Sequence, residues 1–338
     1  MRDAKVRPEV YWADFLLSTL VGWSTFALAF SFSPTTVGYW GLSTLSAIAF
    51  LRAAYFIHEL SHRTVKELPG FHVVWNLLVG IPILVPSFMM WPHREHHRPS
   101  TYGTVDDPEF APVPSWTLAR IGGAVAIYAL VPGMLAARFA FAPIGAVFPG
   151  ARRHAIRKVS TADIDHHYER PPIPDGDRGR FLLLEVGCFL FAWASITATL
   201  LGWVPLWLHG HRWLVMAVAL MLNHARLLAI HRYQGDWSAR SLEEQTLDTY
   251  TMGPESLVTE LFAPVGSRFH ALHHELPGLP YHALPEAHRT LMRELPIGHP
   301  YRDTVIEGLI DGWKRVVARA RIERDENNRR GQEPPTRA

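Results

Sequence analysis

The sequence predicts an all-α membrane protein: two transmembrane helical hairpins, with interfacial helices and a cytosolic, histidine-rich cap. Three observations predict it. Residues 15–32, 37–57, 182–208 and 213–222 hold almost no charge, while acids and bases crowd into the segments between and after them. Short turns join these runs in pairs. The 19 histidines bunch at short, regular spacings beside the apolar runs. Composition excludes other classes. A net charge of only +2 over 338 residues does not point to nucleic acid, and 48% hydrophobic with 19% charged residues excludes a disordered or collagen-like chain. The single cysteine, Cys188, excludes an internal disulfide, an iron–sulfur cluster and a cysteine zinc site. Any metal here rests on nitrogen or oxygen.

The first span is expected over 15–32, a somewhat short crossing at about 1.5 Å per residue through a ~30 Å apolar layer. Arg2, Lys5 and Arg7 precede it as they would a signal peptide, but Glu9 and Asp14 dilute that basic region and no small-residue cleavage site follows. Ser33-Pro34-Thr35-Thr36 forms a polar turn, and 37–57 returns as the second span, interrupted only by Arg52. The second hairpin is expected from spans 182–202 and 208–230, with Trp203, Trp207 and Trp213 suited to a headgroup belt. The turns lack the Lys and Arg residues found at the opposite ends, so the positive-inside bias puts the hairpin ends in the cytosol.

Two intermediate apolar stretches, 73–91 and 118–148, contain Pro82, Pro86, Pro132 and Pro143, which break or kink a straight span. The histidine clusters flanking them meet on one side only if both stretches cross or neither does. Both are therefore expected to lie in or dip into the cytosolic leaflet. The expected count is four spans, with six as the alternative. Residues 1–322 form one membrane domain, and 323–338 is a polar tail expected to fray.

His58-Glu59-Leu60-Ser61-His62 closes the second span, and positions i and i+4 share a helix face, so both imidazoles can reach one metal. The same text formally matches the H-E-x-x-H pattern of zinc proteases. Two further clusters argue against that reading: His93-Arg94-Glu95-His96-His97 and His270-Ala271-Leu272-His273-His274 repeat one H-x-x-H-H spacing, and a zinc protease has no use for eight histidines. In each, the i and i+3 rings are expected on one face, with the adjacent ring turned by about 100° toward a second metal. The set could surround two iron atoms, which suit nitrogen ligands and leave positions open to oxygen. His224 and His231, ~10 Å apart along the last span, supply one more candidate. His231 is preferred because it lies nearer the water boundary, and Asn223 is a candidate to hold a water. His166 and His167 look metal-like but lack a histidine three residues earlier, and Arg170-Pro171-Pro172 follows, so they read as a solvated loop. Glu59, Glu95 and Asp107 are placed to orient ligand imidazoles.

In order, spacing and relation to two apolar hairpins, the segments HELSH, HREHH and HALHH resemble the histidine boxes of the integral-membrane fatty acid desaturase superfamily, which includes related hydroxylases. The resemblance spans most of residues 15–300. It implies a di-iron centre on the cytosolic face, with His58, His62, His93, His96, His97, His270, His273 and His274 as ligands and His231 matching the extra histidine after the last span. HELSH is also similar to the alkane hydroxylase branch. Trp75 to Pro82 and Asp106-Asp107-Pro108-Glu109 resemble bacterial desaturase-like proteins, which implies a bacterial inner membrane with the site facing the cytoplasm.

The expected activity is oxygen-dependent desaturation of a fatty acyl chain, with hydroxylation of an alkyl or acyl chain as the alternative. An unactivated methylene cannot be deprotonated by any side chain, whereas dioxygen activated on reduced iron can abstract its hydrogen atom. Loss of a second hydrogen gives an alkene and return of oxygen gives an alcohol. Two less favoured readings are a zinc hydrolase and a non-catalytic metal-binding membrane protein. With one cysteine and no glycine-rich nucleotide fingerprint, the electrons are expected from a separate ferredoxin or small haem protein, for which the cytosolic Arg and Lys residues offer a docking face.

Overall fold

The structure, a computed structural model, describes residues 4–330 apart from 163, 165, 166, 236 and 254–255. Helix α1 (Pro8–Ala29) starts with proline at its first position and Glu9 in its first turn, both favourable where backbone N–H groups lack partners. A turn closed by Thr36 N–H donating to the Ser33 carbonyl (2.9 Å) leads to α2 (Val37–His62), N-capped by the Thr36 hydroxyl. The pair packs closely because Gly22 leaves room for the Phe50 ring, 3.3 Å from where a Cβ would stand. Ser46 Oγ also donates across the helices to the Gly22 carbonyl (2.9 Å). The charges that interrupt this hairpin neutralise one another, since Arg52 forks onto both carboxylate oxygens of Asp14 at 2.6 Å.

The stretch 73–91 does not make a straight helix. It is α3 (Phe71–Trp75) running into a π-helical turn at 76–80, then a 3₁₀ turn at 87–90. Helix α4 (His93–His96) follows. The stretch 118–148 is α5 (Leu118–Ala126) and α6 (Val131–Ala140), bent by 47° at their junction, and then α7 (Ile144–Val147). Pro132 opens α6, where its missing N–H is tolerated. Helix α8 (Pro149–Lys158) leads to the second hairpin, α9 (Arg178–Leu200) and α10 (Leu206–Ile230).

Among the described residues, four helices are long and apolar enough to cross a membrane: α1, α2, α9 with the turn before it, and α10. The bent α5–α6 pair raises that number to five if it is one span, and residues 71–80 form a shorter apolar helix. Leu17, Leu20, Leu183 and Leu200 stand exposed on α1 and α9, where apolar side chains suit lipid contact. Glu185 in α9 is buried with Arg138 (2.6 Å) and Arg152 (3.0 Å), so its charge is met by two guanidiniums. The protein is an all-α, multi-pass membrane protein.

Beyond α10 lie the short helices α11 (Leu242–Leu247), α12 (Leu257–Phe262), α13 (His270–Glu275) and α14 (Leu284–Glu294), and the 22-residue α15 (Leu309–Arg330). The two-residue strands β1 (Thr251–Met252) and β2 (Val305–Ile306) pair in parallel. Isolated bridges tie His231 to Thr249 and Thr251 to Phe269, so the end of α10 and the start of α13 hang from one short rib. Tyr11, Phe15, Phe56, Phe71 and Trp75 pack the core below this cap. Helix α15 continues through Arg330, across the first part of the segment expected to fray; residues 331–338 lie outside the described residues.

Candidate metal centre

Four elements carry the expected histidines. The second span runs five residues further as helix than its charge pattern suggested, and that last stretch holds His58 and His62. α4 carries His93 and His96, with His97 as its C-cap; α13 carries His270, His273 and His274; His231 is the C-cap of α10. These elements converge. His58, His62, His93, His97 and His273 form one group, and His96, His231, His270 and His274 a second, with the ligand atoms within each group no more than 4.8 Å apart. All are buried except His62 and His97, which are half-buried.

The partition differs from the expected one. In both H-x-x-H-H segments the first and fifth residues serve the same group and the fourth crosses to the other: His93 and His97 against His96, His270 and His274 against His273. Helical geometry accounts for this, because a residue four positions on is displaced by about 40° and one three positions on by about 60° to the opposite side. Positions four and five therefore diverge by about 100°, and the outer two are the nearer pair. The result is a reciprocal clasp, in which each segment gives two rings to one group and one to the other.

Nitrogen geometry tests whether a metal fits. His96 Nδ1 is 2.8 Å from Asp107 Oδ1, His231 Nδ1 is 3.2 Å from the Leu227 carbonyl, and His93 Nδ1 bonds Glu109 Oε1. Each of these acceptors takes the single N–H of a neutral imidazole, leaving the lone pair on Nε2. Yet Nε2 of His231 lies 3.2 Å from that of His96 and 3.0 Å from that of His270, and His97 Nε2 lies 2.9 Å from that of His93 and 3.2 Å from that of His273. Between His96 and His231, whose Nδ1 atoms are both engaged, lone pair faces lone pair and the two rings repel. A cation between them removes the conflict, and nitrogens about 2.1 Å from a metal at right angles stand about 3.0 Å apart. Both nitrogens of His58 and Nε2 of His62 are buried without a hydrogen-bond partner, as ring donors awaiting an ion would be.

Electrostatics agree. Burial and crowding by neighbouring imidazoles hold His97, His270 and His274 well below the ordinary histidine value, so they are neutral and able to ligate. His96 is the exception: burial pulls it down, but Asp107 and Glu109 outweigh that and raise it. Burial alone would raise Glu109, but His93 and His96 outweigh it and bring the carboxyl down to about 2.

The carboxylates sort differently from expectation. Of the three expected to orient imidazoles, only Asp107 does. Glu59 is turned away, accepting a short hydrogen bond from Tyr11 Oη and pairing with Arg63 at 3.5 Å, because the residue after His58 faces another side of the helix. Glu95 pairs with Arg98 at 2.7 Å near the surface. Glu109 was missed; its signal was the acid-rich stretch Asp106-Asp107-Pro108-Glu109 that follows HREHH. Tyr102 was missed too. It packs on His96 and His274 and donates to Asp248 Oδ2 at 2.9 Å.

His224 stays outside both groups, stacked on Tyr128 with ring centroids 4.0 Å apart. Asn223 accepts from Arg226 and lines the cavity that reaches His58 and His270. His167 is exposed, and His166 lies outside the described residues.

A multi-pass helical membrane protein whose histidines gather into two adjoining nitrogen-rich groups is the class that fold and site define. The chain belongs to the fatty acid desaturase family, whose model matches residues 34–305. It is 36% identical over 314 residues to the ceramide hydroxylase of Caulobacter vibrioides (strain NA1000 / CB15N), an alignment covering 92% of this chain and 89% of that protein. No solved structure matches it. Membership in this family, with a hydroxylase relative, makes the protein an oxidoreductase of the desaturase and hydroxylase class.

Proposed function

We propose that the protein is a di-iron lipid hydroxylase whose substrate is a ceramide or a close relative of one. The nine histidines are the ligands in this reading, five for one iron and four for the other. The observation that carries it is the gathering of nine histidines into two groups with Nε2 atoms about 3 Å apart in each, together with the similarity to a ceramide hydroxylase. Desaturation stood first on sequence; the hydroxylase relative moves hydroxylation ahead of it.

Two reduced irons with dioxygen supply the hydrogen-atom abstraction that no side chain can perform on a methylene. The chain's own residues provide the rest. Asp107, Glu109 and the Leu227 carbonyl fix the tautomer and direction of His96, His93 and His231. A cavity of about 140 Å³ runs from His58 and His270 along α2 and α10, walled by Phe50, Leu51, Ile83 and Met216. Ile83 and Met216 also wall a second, about 360 Å³ cavity between α6, α9 and α10, and in this reading the alkyl chain passes between these two side chains from one cavity to the other. The apolar side chains along this route suit a saturated chain.

Glu59 argues against hydrolysis, since a carboxylate held by Tyr11 and Arg63 is not free to act as a general base toward a metal-bound water. We place the site on the cytoplasmic side of a bacterial inner membrane, reduced by a separate ferredoxin or small haem protein. The lipid mass spectrum of a host lacking the activity tests the function. Ceramide heavier by one oxygen, labelled when the dioxygen is labelled, is expected; a product lighter by two hydrogens would make the enzyme a desaturase, and unchanged lipids would overturn the assignment.

A further inference from the structure

Arg226 is an arginine on α10 that is 1% exposed and forms no ion pair among the described residues. A buried guanidinium stays charged and is costly without a partner. Its contacts use only part of its five donors: Nη2 donates to Asn223 Oδ1 at 3.0 Å, Nη1 to Tyr55 Oη at a long 3.4 Å, and Nε has no partner. Arg226, Asn223 and Tyr55 all line the cavity that reaches His58 and His270. Glu109, the carboxylate in that lining, is committed to His93 instead. The guanidinium lies 4.5 Å over the Tyr55 ring, and the other neighbour of that ring is His58, stacked at 5.1 Å and 13°. The cationic group is thus one aromatic ring removed from a histidine of the first group. Away from it the cavity turns apolar, at Phe50, Leu51 and Met216.

We propose that Arg226, with Asn223 beside it, is the seat for the oxygen acceptors at the polar end of the lipid. For a ceramide these are the amide carbonyl and the hydroxyls, a choice that rests on the substrate reading above. With the head held there, the alkyl chain lies in the apolar part of the slot, and the carbon presented to the histidines is close to the polar end rather than to the terminal methyl.

The test uses the iron-loaded full-length protein in lipid nanodiscs. Ceramide and a straight-chain hydrocarbon of equal carbon count compete against a spin-labelled lipid, with iron content measured in parallel. The wild type should prefer ceramide by about tenfold or more, as a site built to hydrogen-bond its ligand does. R226Q should bring that ratio near unity with iron content unchanged. If R226Q does not fold, R226K, which keeps the charge but loses the planar fork, decides by a several-fold drop in the same ratio. A wild type without preference, or a folded variant that keeps the full preference, would overturn the proposal. Because the readout is binding, a missing hydroxylated product would count against the proposed reaction and not against this seat.

Discussion

His96 and His231, 135 residues apart in sequence, face each other with their Nε2 atoms 3.2 Å apart, while the Nδ1 atom of each is already spent on Asp107 or the Leu227 carbonyl. As neutral imidazoles, neither ring has a proton left to give the other. The relationship ties the second histidine segment to the end of α10 and makes both rings depend on a cation between them. Removing one should therefore be felt at the metal before it is felt in the fold. His96→Ala should abolish lipid oxidation, by more than about a hundredfold, while the protein still accumulates in the membrane. Product analysis by mass spectrometry, beside an immunoblot of the membrane fraction, checks it; unchanged lipid output in that variant would defeat the ligand assignment.

The carboxylates behind the rings should have graded effects. Asp107→Ala and Glu109→Ala leave the ligand nitrogens in place but free His96 and His93 to rotate and to lose their tautomer. Each is expected to weaken metal binding by roughly 10–100-fold. Iron retention after graded chelator treatment measures it, and retention equal to wild type in both variants would show that these acids are structural bystanders.

Glu59 separates oxidation from hydrolysis. Glu59 and Arg63 are almost fully buried, with 2% and 3% side-chain exposure, so Glu59→Gln leaves Arg63 only the longer pair with the more exposed Glu67 (3.8 Å), at a cost on the order of a few kcal/mol. Thermal stability in detergent should fall, while the folded fraction keeps its oxidative turnover. Loss of turnover with stability intact would instead place Glu59 in the chemistry, as the zinc hydrolase reading requires.

The junction between the two cavities should govern chain length. Met216 lines both, and Met216→Trp would obstruct the path between them. Shorter chains should then be accepted at near wild-type rate and longer ones rejected, with a packing cost of about 1–3 kcal/mol. A chain-length profile identical to wild type would show that the substrate does not pass between Ile83 and Met216.

The two hairpins and the ninefold histidine set were legible in the sequence because they are carried by strong local signals: charge-free runs of span length and imidazoles at short fixed intervals. What was not legible depends on rotation and on distant contacts. The expected i, i+3 partition treated the fourth position as the near neighbour of the first, whereas the helix brings the fifth closer, and His96 and His273 changed groups as a result. Glu109 meets His93 across a loop 16 residues on, and Asp248 meets Tyr102 across 146, separations at which no periodicity speaks. Glu59 looked well placed only because it adjoins His58; a helix sends adjacent residues to different faces. The bend between α5 and α6 follows from Pro132, which the sequence did show, but its 47° could not be read there.

Metal analysis of the purified protein tests the central claim most directly. Two irons per chain, both lost together with dioxygen consumption on chelation and restored by ferrous iron, is the predicted result. A single zinc per chain, with activity indifferent to dioxygen, would contradict it.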